Sequence, residues 1–222
     1  MKAKIYCLCL HDNLLDKVKS LQYLPVGLGK QNFSDGWLAD NTGINISNKN
    51  SYYGEYTFHY WLWKNHLDKI SDDEWIGFCA YRRFWQNKNE ELNEKFNFQN
   101  SVLKHVPQEW ENYEVILGNK ISIDELKWMK VFKYGKKALL RSPGAIFKKN
   151  RTIKFQFDMF HGNGVLDKAI DLLDDENKND FKNFVNSETS YNQGNMFICK
   201  SKNIIKLFLI GLIIVRKFLD LI

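Results

Sequence analysis

The sequence predicts an α/β protein whose central sheet is mostly parallel and flanked by helices. One observation is a short apolar run, residues 75–81, that follows acidic residues and ends abruptly at Arg82 and Arg83. A second is an apolar run of the same kind near the start of the chain, residues 5–10. Short continuous apolar runs are typical of strands buried on both faces, and such strands belong to sheets covered by helices.

Length and composition indicate a single globular domain with a large core. The chain has 222 residues, of which 44% are hydrophobic and 15% aromatic, so the sequence is not that of a disordered protein. Within this domain we distinguish a first half at 1–119, a second half at 120–202 and a C-terminal apolar helix at 203–222.

The net charge of +6 favours anionic partners. Nucleic acid, an acidic membrane face and a nucleotide diphosphate all fit, and a lysine- and asparagine-rich composition explains part of the charge. No recognised nucleic-acid module occurs in the sequence, so we expect no nucleic-acid partner.

The four cysteines and the start of the chain bear on metal binding and location. The cysteines lack a CxxC pair, which makes a zinc site unexpected. Cys7 and Cys9 lie two residues apart on a predicted strand and should be small core residues on one face. The apolar run after Met1 is too short for a signal peptide, so we expect a cytoplasmic protein.

The residues that follow the two predicted strands are the first candidates for a site. In α/β sheets ligands bind at the carboxyl ends of the strands, where Tyr81, Arg82 and Arg83 should lie. Guanidinium groups form paired hydrogen bonds with phosphate or carboxylate oxygens. An arginine pair facing water, or capping a neighbouring helix, is an equally open alternative. His11 follows the first strand, either at a nucleotide site or as a surface turn residue.

An aromatic segment at 52–65 is predicted to form one deeply buried helix. Tyr56, Tyr60 and Trp63 recur at helical spacing, and other large side chains cover much of the remaining surface. Glu55 lies near the start of this helix and His59 one turn later. A buried carboxylate needs a partner, which the sequence leaves open among His59, an arginine and a ligand hydroxyl.

Several motifs in fixed order resemble a family of bacterial proteins catalogued as a domain of unknown function. Its members are described as capsular-polysaccharide and lipopolysaccharide glycosyltransferases. The chain departs from the family pattern with Tyr56 in place of leucine, Ala80 in place of histidine and Phe84 in place of tyrosine. Weaker similarities occur at His161 and at 195–198. The matching motifs are Asn45-Ile-Ser47 with Asn50, Tyr53-Gly-Glu-Tyr-Thr57, Tyr60-Trp-Leu-Trp-Lys-Asn65 and Gly77-Phe-Cys-Ala-Tyr-Arg-Arg-Phe84.

The resemblance implies a fold like that of GT-A glycosyltransferases. It also implies a nucleotide-sugar donor, bound by the half at 1–119, and a glycan or lipid-linked acceptor, bound by the half at 120–202, with no cofactor besides the donor. The alternative is a non-catalytic or nucleic-acid-binding basic α/β protein. Many such enzymes hold a metal with an Asp-x-Asp pair at a strand end, but Asp72 and Asp73 precede the strand here. We therefore expect no metal, with arginines neutralising the diphosphate instead. The residues expected to bind the donor are His11, Asn45, Asn48, Asn50, Tyr81, Arg82, Arg83 and Asn195.

A sugar transfer that inverts the anomeric centre also needs a general base. Glu55, Asp158, His161 and Glu188 are the candidates, and the sequence does not rank them. Asp158 and His161 lie three residues apart and would share one face of a helix.

The second half of the chain is predicted from its apolar periodicity. Strands are expected at 113–117 and 195–199, and helices at 121–137, at 155–173 with a turn at 162–164, and at 181–186. A charged loop is expected at 174–180. The basic, aromatic stretch at 127–137 is either a lysine face over buried aromatic residues, which we favour, or a nucleic-acid surface.

The segment at 203–222 is apolar, but its uninterrupted apolar run, residues 207–215, is too short to span a membrane. It is predicted to be either a core helix or a helix lying on the inner face of the cell membrane. Apolar surface left uncovered there would also suit a partner or a homo-oligomer.

Overall fold

The computed structural model describes residues 3–29, 31–87, 97–123, 128–192 and 195–200. These residues fall into two compact units, the first containing 3–118 with 195–200 and the second containing 119–192. The predicted C-terminal helix lies outside the described residues. Within the described part, no helix is long and apolar enough to cross a membrane.

The first unit is built on a six-stranded sheet with the order β3-β2-β1-β4-β8-β5. Strands β1 to β4 run parallel to one another, whereas β8 is antiparallel to both β4 and β5. The predicted α/β class with a mostly parallel sheet is therefore confirmed. The strands of the described residues are β1 Lys4–Cys9, β2 Leu24–Gly27, β3 Leu38–Ala39, β4 Ile76–Ala80, β5 Val115–Leu117, β6 Lys120–Ser122, β7 Ser190–Asn192 and β8 Phe197–Cys199.

The order of the strands creates a switch point between β1 and β4. From β1 the chain proceeds outward through β2 to β3, and it then returns to the other side of β1 to form β4. Cys7 pairs with Cys79 and Leu8 with Ala80, so the two strands end side by side. Crevices at such switch points are the usual ligand sites of open α/β sheets.

Helices complete both units, and the longest ones are amphipathic. The α-helices are α1 Leu15–Ser20, α2 Asn50–Tyr53, α3 Tyr56–Asn65, α4 Phe98–Ser101, α5 Trp128–Tyr134, α6 Lys136–Arg141, α7 Ile153–His161, α8 Val165–Asp171 and α9 Asp175–Ser187. Short 3-10 segments occur at Asp12–Leu14, Ser47–Lys49, Leu67–Lys69, Gln108–Trp110, Pro143–Ile146 and Lys148–Asn150.

The aromatic segment is two helices and not the single helix that we predicted. Gly54 separates α2 from α3 with φ 53° and ψ −132°, a conformation that side-chain-bearing residues rarely adopt. The buried face of α3 also differs from the predicted one. Phe58, Trp61 and Leu62 are buried against the sheet, whereas the face with Tyr56 is only half-buried.

The two faces of the sheet carry separate hydrophobic cores. Tyr6 and Leu8 of β1 point into the core shared with α3, while Cys7 and Cys9 point into the core shared with α1. The prediction that Cys7 and Cys9 are core residues is confirmed, and all four cysteines are buried and outside disulfide bonds.

The second unit contains the antiparallel pair β6 and β7 and the helices α5 to α9. Two predictions fail there. Residues 121 and 122, predicted to begin a helix, belong to β6, which pairs with β7. The predicted charged loop at 174–180 belongs to α9, because Asp174 caps this helix by accepting a hydrogen bond from the Asn177 backbone N–H.

The predicted helices on either side of the glycine turn are confirmed as α7 and α8. The basic stretch at 127–137, in contrast, does not bury its aromatic residues as we favoured. Trp128, Phe132 and Tyr134 are all exposed, and the rings of Trp128 and Phe132 stack at 5.5 Å.

Candidate functional site

A cavity of about 760 Å³ opens in the first unit at the carboxyl ends of β1, β2 and β4. The residues before β8 close another side, since β8 is antiparallel and begins where β4 ends. The cavity therefore occupies the switch point of the sheet. Its lining residues are Leu8, Leu10, Leu28, Asn50, Ser51, Gly54, Glu55, Ala80, Tyr81, Arg82, Arg83, Asn195 and Met196.

A tight turn after β4 presents both arginines to this cavity. The Tyr81 N–H donates to the Leu8 carbonyl at 3.1 Å, which ties the turn to β1. The Arg83 N–H donates to the Ala80 carbonyl at 2.9 Å and closes the turn. The Arg82 guanidinium carbon lies 5.0 Å from the centre of the Tyr81 ring, a cation–π distance.

The two guanidinium groups are available to a ligand, because no ion pair within the described residues engages them. Both arginines are exposed. Among the described residues, no carboxylate forms an ion pair within 4 Å of either arginine. Two neighbouring cations at the rim of a partly apolar cavity form a site suited to a phosphate or carboxylate group.

Glu55 brings a carboxylate into the same cavity. The Asn195 side-chain amide donates to Glu55 Oε2 at 3.2 Å, across the gap between α3 and the start of β8. Burial raises the pKa of Glu55 above its ordinary value, against the opposing effects of the Asn195 hydrogen bond and the Arg83 charge. A raised pKa suits a group that exchanges protons near neutral pH.

The partner of Glu55 is therefore Asn195, which was not among the three that the sequence left open. His59 Nδ1 lies 2.9 Å from the backbone carbonyl oxygen of Glu55, so it contacts the helix backbone and not the carboxylate. Burial lowers the pKa of His59 to about 4, and the imidazole is neutral at physiological pH.

A second buried carboxylate, Asp40, lies behind the part of the cavity lining that Asn50 and Gly54 form. Its Oδ1 accepts from the Gly29 N–H at 2.9 Å, and its Oδ2 accepts from the Thr57 hydroxyl at 2.5 Å. The Asn50 amide donates to Thr57 Oγ1 at 3.1 Å and to the Gly54 carbonyl at 2.9 Å. Asp40 thereby fixes the two cavity-lining residues Asn50 and Gly54 through Thr57.

Asp40 is fully buried, and its burial raises the pKa of its carboxyl group. The hydrogen bonds from Thr57 and Gly29 oppose that rise. Sequence reasoning missed Asp40, because a lone aspartate after a two-residue strand looks like an ordinary turn residue. It also missed Ser51 and Met196, whose positions depend on how the helix and strand ends meet.

The cavity brings together half of the residues expected from the sequence. Six line it directly, and His11 contacts it through Tyr81, with an edge-on ring distance of 5.6 Å. Asn45 instead stabilises its own loop, since its side chain accepts from Ser47 and donates to the Gly43 carbonyl. Asn48 is exposed and is not a lining residue. The six lining residues are Asn50, Glu55, Tyr81, Arg82, Arg83 and Asn195.

The other candidate bases belong to the second unit. Asp158 pairs with Lys154 at 3.2 Å, and Lys154 also pairs with Asp167 at 2.6 Å. His161 is exposed, with its ring 4.6 Å from that of Phe157. Glu188 is exposed, and its backbone carbonyl accepts from the Ile153 N–H. Of the four candidates, only Glu55 lines the cavity.

The cavity does not have the donor set of a divalent-metal site. Mg²⁺ and similar cations bind clustered oxygen ligands, usually carboxylates, whereas Glu55 is the only carboxylate in the described lining and two arginines accompany it. Throughout the described ranges, no group of three or more His, Cys, Asp or Glu side chains is placed to hold a metal ion.

Fold and cavity together define an α/β protein with a cationic cleft at the switch point of a mostly parallel sheet. The chain belongs to the family described as Domain of unknown function (DUF4422), whose model matches residues 4–208. No curated protein matches the sequence.

Among solved structures the chain is similar to an apo structure of WbbM, described as a bifunctional glycosyltransferase. The identity is 21% and the TM-score 0.49, and the match covers 100% of this chain and 38% of that one. The present chain thus spans little more than a third of the length of that protein.

Proposed function

We propose that this protein is a glycosyltransferase that moves a sugar from a nucleotide-diphosphate donor to a glycan acceptor. The observation that carries the proposal is the pairing of two free guanidinium groups with a partly buried carboxylate in one switch-point cavity. The fold is of the GT-A type in this proposal. The resemblance to surface-polysaccharide glycosyltransferases supports an acceptor of the capsular or lipopolysaccharide kind.

In this mechanism Arg82 and Arg83 bind the diphosphate of the donor. When the bond between the sugar and the diphosphate breaks, negative charge grows on the departing oxygen. Two guanidinium groups already in place stabilise that charge without having to reorganise during the reaction. No metal ion is part of this proposal, and activity is expected to survive an excess of chelator.

Glu55 is the proposed catalytic carboxylate. Asn195 holds Oε2, and among the described residues no hydrogen bond reaches Oε1, so Oε1 is the oxygen that receives a substrate hydroxyl. In an inverting transfer the acceptor oxygen bonds to the anomeric carbon, its proton passes to Glu55, and the diphosphate leaves with the bonding electrons. The raised pKa of Glu55 brings its basicity closer to the working pH.

The remaining lining residues orient the donor. Asn50 and Ser51 present polar groups from α2, while Leu8, Leu10 and Leu28 supply apolar contacts at the strand ends. Tyr81 offers an aromatic face beside His11, which suits stacking against a nucleobase or a sugar.

A thermal-shift screen of nucleoside diphosphates and sugar nucleotides tests this function. A ligand at a hundred times its Kd stabilises the native state by about 2.7 kcal/mol, which for a chain of this length raises Tm by roughly 5 to 10 °C. Any sugar nucleotide that binds is then incubated with the protein, and release of the nucleoside diphosphate is measured. Binding without turnover, at any acceptor tried, would indicate a non-catalytic binding protein.

A further inference from the structure

The second unit carries a surface that the proposed active site does not use. We define the cationic apolar surface as the exposed side chains of residues 128–149, which span α5, α6 and the two 3-10 segments that follow. Of the 24 residues from 128 to 151, eight are lysine or arginine and none is aspartate or glutamate. Seven of these eight are exposed, namely Lys130, Lys133, Lys136, Lys137, Arg141, Lys148 and Lys149.

The surface is anchored from beneath by one small core. Val131 of α5, Ala138 of α6 and Ala145 of the first 3-10 segment are buried together against Phe155 and Met159 of α7. Leu139 of α6 is half-buried and also packs against this core. Because α5 contacts α6, and α6 contacts the first 3-10 segment, the side chains that the core leaves uncovered lie on neighbouring segments.

Large apolar side chains stand on that outer face. Met129 and Leu140 each have 84% of their surface exposed, and Phe147 has 63%. On α5 and α6, Met129 and Leu140 lie about half a helical turn from the buried Val131 and Ala138, so they point away from the core. Phe132 and Ile146 are also exposed. So many exposed large apolar side chains in one short stretch are typical of an interaction surface.

Arg151 fixes the ends of the segment to each other. It is fully buried, its Nε donates to the Ala145 carbonyl at 3.1 Å, and its guanidinium carbon lies 4.2 Å above the Trp128 ring. A charged side chain is thus buried to hold the first and last parts of the segment together. The surface above is consequently a defined shape built on a packed base.

We propose that the cationic apolar surface binds the surface of an anionic lipid bilayer. Charge complementarity argues for this partner, since seven exposed cations and no acidic residue occur along the whole segment. The surface also exposes aromatic rings, at Trp128, Phe132, Tyr134 and Phe147, and these suit lipid and nucleic acid alike. The exposed aliphatic side chains of Met129, Leu140 and Ile146 favour lipid, because they can insert among acyl chains but cannot stack on bases. The proposal does not depend on the proposed glycosyl transfer, and it concerns residues far along the chain from the apolar segment at 203–222.

Co-sedimentation of the full chain with lipid vesicles tests the proposal. We expect binding to vesicles of mixed phosphatidylcholine and phosphatidylglycerol, weaker binding at high salt, and no binding to pure phosphatidylcholine. Each basic residue near an anionic surface strengthens binding about fivefold, so Lys136→Gln with Lys137→Gln should weaken it roughly 25-fold. The matched control, Lys168→Gln with Lys182→Gln, removes the same charge from exposed positions on α8 and α9 and should leave binding unchanged.

A second pair of variants separates apolar insertion from charge alone. Met129→Ser with Leu140→Ser keeps every charge and removes two side chains that make little contact with the protein, so the fold should persist. We expect vesicle binding to fall at least tenfold. The matched control is Tyr113→Ser in the first unit, whose side chain is also exposed.

Three results would overturn the proposal. The first is vesicle binding at the wild-type level by both the lysine and the apolar variants of the cationic apolar surface, which would assign the lipid contact to another part of the chain. The second is an absence of vesicle binding at low salt. The third is binding of an oligonucleotide, or self-association, that the same lysine and apolar substitutions abolish while vesicles remain unbound.

Discussion

The two walls of the switch-point cavity differ in whether their polar groups are already paired within the protein. Behind the wall formed by Asn50 and Gly54, Asp40 is fully buried, and its two oxygens accept hydrogen bonds, one from Gly29 and the other from Thr57. On the other wall, Arg82 and Arg83 are exposed on a turn and form no ion pair among the described residues. Polar groups that satisfy one another stabilise the fold, whereas charged groups left unmatched at a cavity are available to a ligand. We call the first the structural wall and, because the proposed function assigns it the ligand, the second the functional wall.

Removing both arginines should produce the largest effect on activity. Arg82→Ala with Arg83→Ala deletes two donors to the leaving diphosphate, each worth roughly a hundredfold in rate, so turnover of a sugar nucleotide should fall by about 10⁴. Because both side chains are exposed, Tm should change little.

Lysine at the same positions keeps the charge but not the two-pronged geometry, and it should restore only part of the activity. Full activity in the double alanine variant would show that Arg82 and Arg83 do not bind the diphosphate.

Glu55→Gln tests the carboxylate that faces the arginines. The change keeps the size of the side chain and removes the proton acceptor, so turnover should fall by about 10² or more. The raised pKa of Glu55 means that its contribution to stability is present below its unfolded pKa and is lost as pH rises through its folded pKa. The variant should therefore be at least as stable as wild type at pH 7.

The control for this experiment is Glu109→Gln, an exposed glutamate outside the cavity, which should change neither quantity. A drop in Tm without a drop in turnover would place Glu55 on the structural wall with Asp40.

Asp40→Ala should affect stability and not chemistry directly. It leaves the buried Gly29 N–H without its acceptor, which costs about 2 to 3 kcal/mol of unfolding free energy and lowers Tm by roughly 5 to 10 °C. Asp35→Ala, at an exposed position of the same unit, is the control.

Asp40→Asn tests the direction in which the stability of the protein changes with pH. The raised pKa of Asp40 means that its titration favours the native wild-type protein at low pH, and this advantage is lost as pH rises above about 4. The Tm of wild type minus the Tm of Asp40→Asn should therefore fall from pH 4 to pH 7. A difference that grows over this range would contradict the assignment.

Gly54→Ala is the mildest of these changes. Its φ of 53° and ψ of −132° force alanine into a strained conformation, which costs about 1 to 2 kcal/mol. Gly118→Ala, where open space surrounds the added methyl group, should be close to neutral. If the two substitutions prove equally harmless in urea denaturation, the break between α2 and α3 does not constrain the cavity wall.

The residues of the functional wall were easier to predict from the sequence than those of the structural wall. An apolar run that ends abruptly at polar residues predicts the strand before Arg82 and Arg83. The end of that strand can be located from the sequence without tertiary information. Asp40 depends on contacts with Gly29 and Thr57, which lie 11 and 17 residues away, so local pattern carries no signal for it. Gly54 is different, because a glycine inside a helical pattern is itself a local sign of a break. The partner of Glu55 was missed for the same reason as Asp40, since Asn195 lies 140 residues away.

Helix boundaries in the second unit were missed for a different physical reason. Asp174, Asp175 and their neighbours look like a charged loop, yet acidic residues are favoured at a helix start, where they cap the chain and oppose the helix dipole. Strands β6 and β7 are each three residues long and pair only with one another. Segments that short carry too little periodicity to be recognised before the fold is known.

The most direct test of the account is the affinity for a nucleoside diphosphate compared with the matching monophosphate. Titration calorimetry on wild type should show a clear preference for the diphosphate, because both guanidinium groups contact phosphate oxygens, and this preference should weaken with salt. In Arg82→Gln with Arg83→Gln the preference should disappear while any affinity for the nucleoside remains. An unchanged preference in that variant would show that the diphosphate binds elsewhere and would contradict the assignment of the functional wall.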